Sequence, residues 1–491
     1  MSTLKNNAKI AIIGGGVSGV TTALYLSHLG FHVTLFEQEK SLVCGPPFCH
    51  LHAGGNLYPD ISDAQCVTLL KQSIDFLRFY PHVVDYRPTV IALPTYCTNH
   101  TANLLPRLKL LQKTYAKLIE KDKANEVLGK SEEYFKLYNH DTLKNLSKQT
   151  TPQQPQSADD WMIPVAKEIA YDKVQFPLIL VQEYGLNLFR LAASASLALD
   201  TLDNVTLHYQ SKVTDIHKKT DSWQIEYEIN KKIHHDTFDY LINAAGFRTG
   251  KIDDMIGVPC ERMVEFKAAY ISHWEKEKNT YFPEIIFHGE RGTPKGMGQL
   301  TPYPQGYFQL HGMTKEITLY ENGLVANTKQ SCQPQLDNAF LTKIEKNWTQ
   351  KETNTRTQNA IGHLATFIPS FASATVGSKP LFGAQQIPGD DPTLRVAEVT
   401  FPATRYARCE IVKVSSVLDM VEAITKNLMN LDNNTTTPIK PSNIKCFEAI
   451  KESEIDAYAK TLCTLREYPI SLGKRNIKKN PSIPKNDDFD I

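Results

Sequence analysis

Four glycines in six residues, Gly14-Gly15-Gly16-Val17-Ser18-Gly19, constrain this chain more than any other feature of it. They follow a short apolar run, Lys9 to Ile13, that reads as a buried parallel strand. After them Val17, Val20, Leu24, Leu26 and Leu29 recur at helical spacing, and Gly30 stands where a helix C-terminus wants glycine. Val33 to Phe36 is the next strand, so residues 9 to 37 form a βαβ unit. Within G-x-G-x-x-G, Gly14 permits the tight turn, Gly16 lets backbone approach a pyrophosphate, and Gly19 lets helix and strand pack closely. Gly15, Val17 and Ser18 complete the turn, and the free N–H groups at the helix start attract a diphosphate. Glu37, closing the second strand, accepts hydrogen bonds from ribose hydroxyls and disfavours a 2′-phosphate. The unit therefore predicts dinucleotide binding, with FAD or NAD as the ligand.

The chain has 491 residues, enough for about two to four domains. Its 54 Lys and Arg against 53 Asp and Glu leave a net charge of +1, without the basic excess that nucleic acid binding draws on. Its nine cysteines are odd in number and contain no C-x-x-C, which points to free thiols in a reducing compartment and to no metal site. No apolar run approaches the roughly 18 residues of a membrane span, and the start of the chain is too interrupted for a secretory leader. The expectation is a soluble, cytoplasmic protein with a small-molecule substrate; contact with a membrane surface stays open.

Further along, Ile61 to Tyr80 has helical spacing, and residues 104 to 150 read as all-helical, ending in the polar linker SKQTTPQQPQSADD. Gln182 to Asp200 reads as a helix. Val205 to Tyr209, Val213 to Ile216, Trp223 to Ile229 and Thr237 to Ile242 read as strands of a meander. Residues 263 to 330 alternate aromatic and polar residues between Gly and Pro turns, as an antiparallel sheet does. Val414 to Leu428 and about Phe447 to Leu465 read as helices, and the polar C-terminal tail reads as disordered.

Leu241-Ile242-Asn243-Ala244-Ala245-Gly246 is an apolar strand ending in small residues. Together with the glycine turn it resembles the FAD-dependent oxidoreductases of the D-amino-acid oxidase type, which include glycine and sarcosine oxidases and 2-hydroxyglutarate dehydrogenases. The resemblance implies FAD as cofactor, Ala245 and Gly246 returning to the flavin, and Val213 beside the adenine. The run from Cys49 to Pro59 is similar to flavin-facing segments of 2-hydroxyglutarate oxidoreductases, and equally to the oxidase domain of bifunctional enzymes that modify tRNA wobble uridine. The methyltransferase domain of the latter is absent. Near the C-terminus the chain departs from the family: Thr404 to Glu410 lacks the usual glycines and carries Arg405 and Arg408 instead. Either could face a reduced flavin or a substrate carboxylate. No second G-x-G-x-x-G marks a nicotinamide domain; Gly296-Met297-Gly298 lacks the third glycine.

The expected architecture is α/β, α+β overall: a Rossmann-like FAD domain from 9–95, 180–250 and 360–430, interleaved with an antiparallel substrate sheet at 255–355. A helical insertion at 96–165 and a C-terminal helix with flexible tail at 431–491 are added. The expected reaction is hydride transfer from a C–N or C–O centre of a small amino acid or 2-hydroxy acid to the flavin. His52 and His311 are the candidate bases, with Arg405 beside them; Tyr303, Tyr307 and Arg408 are candidate substrate contacts. Cys49 or His50 would be the attachment point of a covalent flavin. The alternatives are an NADPH-using flavin monooxygenase and a flavin-binding protein with an interaction role.

Overall fold

β1 (Lys9–Ile13) lies at the centre of a six-stranded sheet, with α1 (Val17–His28) and β2 (His32–Phe36) following it in the computed structural model, which describes residues 8–56, 61–346, 348–394, 396–431 and 440–477. The strand order is Val399–Ala403, Tyr406–Cys409, Tyr240–Asn243, β1, β2, Val205–His208. All pairs are parallel except the outermost one, Val399–Ala403 against Tyr406–Cys409. Period-two alternation sorts β1 between two cores. Ile10 and Ile12 meet Val20 and Leu24 of α1, while Ala11 and Ile13 meet Phe36, Val213, Trp223 and Ile225. The latter core is roofed by a three-stranded ribbon of Ser211–Lys218, Trp223–Ile229 and Lys232–Phe238.

The second sheet has nine strands. Leu324–Ala326, Arg262–His273, Tyr307–Gly312, Gly298–Tyr303, Glu284–Phe287, Thr89–Ala92, Leu178–Val181 and Phe135–Tyr138 lie side by side in that order. Thr375–Pro388 pairs along Arg262–His273. Its pairs are antiparallel except Glu284–Phe287 with Thr89–Ala92. It is broader than the sequence reading of 255–355, because Thr89–Ala92 and Thr375–Pro388, placed there in the cofactor domain, and Leu178–Val181, which straddles the start of its 180–250 segment, pair into this sheet. Their hydrogen-bonding edges find partners that a local reading cannot see.

Three local readings change for similar reasons. The segment 96–165 is not all-helical: Phe135–Tyr138 forms an edge strand against Leu178–Val181, while Leu108, Leu111 and Tyr115 of the helix Leu105–Lys121 are fully buried. Val205–His208 leaves the expected meander and pairs in parallel with β2, Val33 opposite Val205. The C-terminal helix, Glu452–Leu465, is no loose appendage: Ile455, Ala459, Leu462 and Cys463 are buried, and it packs on the helix Leu188–Asp200. The expected disordered tail beyond residue 477 lies outside the described residues. The sequence reading of Ile61 to Tyr80 appears as α2 (Asp63–Phe79), with the Ser62 side chain accepting from Gln65 N–H at its start.

Candidate cofactor and substrate site

The glycine turn opens into a cavity of about 420 Å³ at the C-terminal ends of β1 and β2. Its geometry explains three of the glycines separately. Gly14 has φ +106°, and a Cβ there would lie 2.4 Å from the Ala244 carbonyl oxygen; a Cβ on Gly19 would lie 1.9 Å from the Gly14 oxygen. Those two positions are closed by protein. At Gly16 a Cβ would meet nothing within 4 Å and would project into open space on the cavity wall. That is the cradle a diphosphate needs, where any side chain would occupy the ligand's place. α1 has no acidic residue in its first turn and no side-chain cap, so its N-terminal N–H groups are left to a ligand.

Gly14, Gly16, Glu37, Val213, Ala245 and Gly246 line this cavity together; Gly15, Val17, Ser18 and Gly19 build the turn behind it. The Glu37 carboxylate accepts from Gly15 N–H at 2.7 Å and from Glu39 N–H at 2.8 Å. Burial pushes its carboxyl up, and those two N–H groups oppose the shift. Gln38 and Glu39 continue the wall beside it.

Several wall residues carry no signal in the sequence. Leu381, Phe382, Gly383 and Ala384 come from the long strand of the large sheet, and Arg466 and Tyr468 from the C-terminal segment. Lys212, Arg248, Lys251, Lys379 and Arg466 give the wall five basic residues against Glu37 and Glu39. Burial, with Arg248 and Lys212 nearby, lowers the Lys251 pKa, so this cluster of like charges would be relieved by an anion. The cradle, the ribose-facing acid and the basic wall fit FAD.

The other candidate residues do not gather at this cavity. Arg405 sits at the opposite end of the six-stranded sheet: its carbonyl accepts from Leu241 N–H and the Trp223 indole, and its guanidinium lies 3.8 Å from Asp221. Arg408 is close to the right sheet end, opposite Asn243, but its charge is taken by Glu410 at 2.9 Å and Asp253 at 3.4 Å. Tyr303 is buried with its hydroxyl donating to Gln309 at 3.2 Å, and Tyr307 packs against the ring of His273. Burial and Lys267 push His311 down to about 3, which leaves a poor base. None of these five lines the cavity; period-two and aromatic patterns identify strand residues without saying which sheet end faces a ligand.

His52 is placed differently. Its Nε2 accepts from Lys413 Nζ at 3.1 Å, and its ring meets that of His50 at 4.5 Å. Lys413 immediately precedes the turn that enters the helix Val417–Leu431. Gln385, next to the wall residue Ala384, donates to the carbonyl of Val412 and ties that approach to the cavity. Leu57, Tyr58 and Pro59 of the same run lie outside the described residues.

Cys49 and His50 do not line the cavity and sit in a buried cluster. His50 Nδ1 lies 2.5 Å from Glu284, whose other oxygen accepts from Arg87, and Arg87 also donates to the Cys49 carbonyl at 2.8 Å. Burial alone would lower the His50 pKa, but the Glu284 carboxylate and the Cys49 sulfur hold it up at about 10. Cys49, His50 and Glu284 are the one set of grouped potential metal ligands among the described residues. The Gln299 amide nitrogen stands between them, 3.1 Å from the sulfur, 3.1 Å from His50 Nδ1 and 2.8 Å from Glu284.

Residues 9–139 match the family model described as FAD dependent oxidoreductase, DAO. Over that stretch the chain is similar to the FAD dependent oxidoreductases of the DAO type. Among solved structures, L-proline dehydrogenase from P. horikoshii is similar at 14% identity, covering 89% of this chain and 97% of that one, with a TM-score of 0.55. Glycine oxidase from Geobacillus kaustophilus is similar at 10% identity, covering 88% and 97%, with a TM-score of 0.55. Glycerol-3-phosphate dehydrogenase from Bacillus halodurans, complexed with FAD, is similar at 11% identity, covering 95% and 74%, with a TM-score of 0.53. At these identities the likeness is one of fold, and it extends over both sheets. The domain is that of an oxidoreductase with FAD as its cofactor.

Proposed function

We propose that the protein oxidises a C–N or C–O centre of a small amino acid or 2-hydroxy acid, with FAD held in the glycine-turn cavity. The observation that carries the cofactor placement is the open space in front of Gly16 on a wall with five basic residues. FAD, when bound, supplies the acceptor for a hydride. Glu37 would hold the ribose, the N–H groups of the turn and of α1 the diphosphate, and Val213 would lie beside the adenine. The two similar structures named for proline and glycine act, by those names, on amino acids, which supports the substrate class.

On the substrate side, His52 and Lys413 replace the arginines as the polar pair at the approach to the last sheet-flanking helix. The 3.1 Å contact between Lys413 Nζ and His52 Nε2 sets a lysine side chain beside the imidazole. Such a lysine suits a carboxylate or a reduced flavin. We place the protein in the cytoplasm, on its nine free thiols.

The test is anaerobic bleaching of the bound flavin by a panel of amino acids, hydroxy acids and NADPH. Bleaching by a member of the first two classes is expected; bleaching by NADPH alone overturns the reading. Gly16→Ala should abolish flavin retention, by absorbance of the purified protein, while leaving the circular dichroism of the fold unchanged. Undiminished flavin in that variant would remove the cofactor from this cavity.

A further inference from the structure

The C-terminal segment takes a position that its place in the chain does not require. After the helix Glu452–Leu465 the chain turns across the cofactor cavity, and both Arg466 and Tyr468 become part of the cavity wall. Arg466 spends its guanidinium on the loop that follows β2. It donates to the Leu42 carbonyl at 2.6 Å, the Val43 carbonyl at 3.0 Å and the Ser41 hydroxyl at 3.0 Å. That loop lies directly on the glycine turn, with Val43 N–H donating to the Gly15 carbonyl at 2.9 Å. Val43 has φ +54°, a left-handed conformation unfavourable for a β-branched residue, so the loop needs outside support to keep it.

The segment is anchored on both sides of Arg466. Upstream, Arg190 pairs with Asp456 and with Glu452, the latter at 2.5 Å. Downstream, the Tyr468 hydroxyl donates to the Pro380 carbonyl at 2.8 Å, and Asn187 donates to the carbonyls of Leu472 and Lys474 at 2.8 and 3.0 Å. Between them, Lys379 of the cavity wall pairs with Glu467 at 2.9 Å. The segment thus joins the post-β2 loop, the long strand of the large sheet and the helix Leu188–Asp200 across one cavity.

We infer that residues 466–477 are a cofactor latch: Arg466 holds the loop 41–43 against the glycine turn and sets its charge on the wall that faces the FAD diphosphate, so strap docking and FAD binding reinforce each other. The inference rests on the placement of FAD proposed above. By linkage, whatever the docked strap contributes to FAD affinity, bound FAD contributes equally to strap docking. Arg466 is a positioning residue, with its planar fork matched to three separate oxygens.

The experiment uses the full-length apo-protein, reconstituted with FAD and followed by quenching of flavin fluorescence. Arg466→Ala is expected to raise the FAD dissociation constant at least tenfold. Arg466→Lys, which keeps the charge and loses the fork, should fall between that variant and wild type. In parallel, FAD is expected to slow proteolytic cleavage within 466–477 of the wild-type chain at least fivefold relative to the apo form. If wild type binds FAD while both variants bind it within twofold of wild type, the latch is overturned and the cofactor placement stands. Should Arg466→Ala not fold, Arg466→Lys and the protection experiment decide; equal cleavage rates with and without FAD overturn the inference. Failure of wild type itself to bind FAD defeats the underlying reading instead.

Discussion

Glu284 compensates two buried cations at once, with Arg87 on one carboxylate oxygen and His50 on the other, and neither the acid nor the arginine has appreciable contact with water. Removing one partner of such a pair leaves an uncompensated charge in the interior, which costs about 3–5 kcal/mol. Glu284→Gln is therefore expected to lower unfolding stability by that amount in urea melts at pH 7. The same pair sets a pH dependence. His50 rises from an ordinary value of 6.5 to about 10 in the folded protein. A raised folded pKa gives stability that is fully present below the unfolded value and is lost as pH rises through the folded one. Wild-type stability should accordingly decline between about pH 7 and pH 10, and Glu284→Gln should flatten that decline. None of this was legible in the residues: Glu284 lies more than 200 residues after the adjacent Cys49 and His50, and the reading of Cys49 and His50 as flavin attachment points rested on the likeness of their run to flavin-facing segments. The glycines were legible one by one, because backbone sterics at a turn are local.

At the scale of elements, periodicity identified the helix α2, which shows one face to a core, while α1 and the strands of the βαβ unit were marked by apolar runs bounded by glycine, since α1 is buried all round and β1 faces two cores. It was less informative about pairing. Val205–His208 and Phe135–Tyr138 are short strands whose partners, β2 and Leu178–Val181, were chosen by shape and register elsewhere. The C-terminal helix is the clearest case. Its amphipathic pattern was visible, but its docking face, the helix Leu188–Asp200, was not. Because Leu462 is almost fully buried there, Leu462→Ala is expected to cost about 2–5 kcal/mol. A helix lying loosely on the surface would show a change within about 0.5 kcal/mol, and chemical denaturation distinguishes the two.

For the whole molecule, the two sheets are built from alternating stretches of one chain, so the glycine turn of one and the long strand of the other meet at a shared cavity. The cavity takes its floor from the glycine turn, one wall from the large sheet and another from the C-terminal segment. With a net charge of +1 the protein has little long-range field for an anionic ligand, and attraction must come from the basic wall residues, chiefly Lys212, Lys251 and Arg466, since Arg248 and Lys379 pair with Glu345 and Glu467. FAD affinity of the apo-protein should therefore fall with ionic strength, on the order of tenfold between low salt and 0.5 M, where screening acts within a few ångströms. An affinity independent of salt in a fluorescence titration would show those residues to be uninvolved.

By itself, the sequence determined a βαβ unit for a dinucleotide, an acid for its ribose and a later strand returning to the same sheet, because each depends on steric and hydrogen-bonding demands within a few residues. Tertiary structure alone decided that Arg405, Arg408 and His311 are held elsewhere, that Lys413 stands beside His52, and that Arg466 and Tyr468 reach the cavity. Those outcomes depend on which strand edges pair and which charges neutralise each other across hundreds of residues, and no spacing along the chain encodes them.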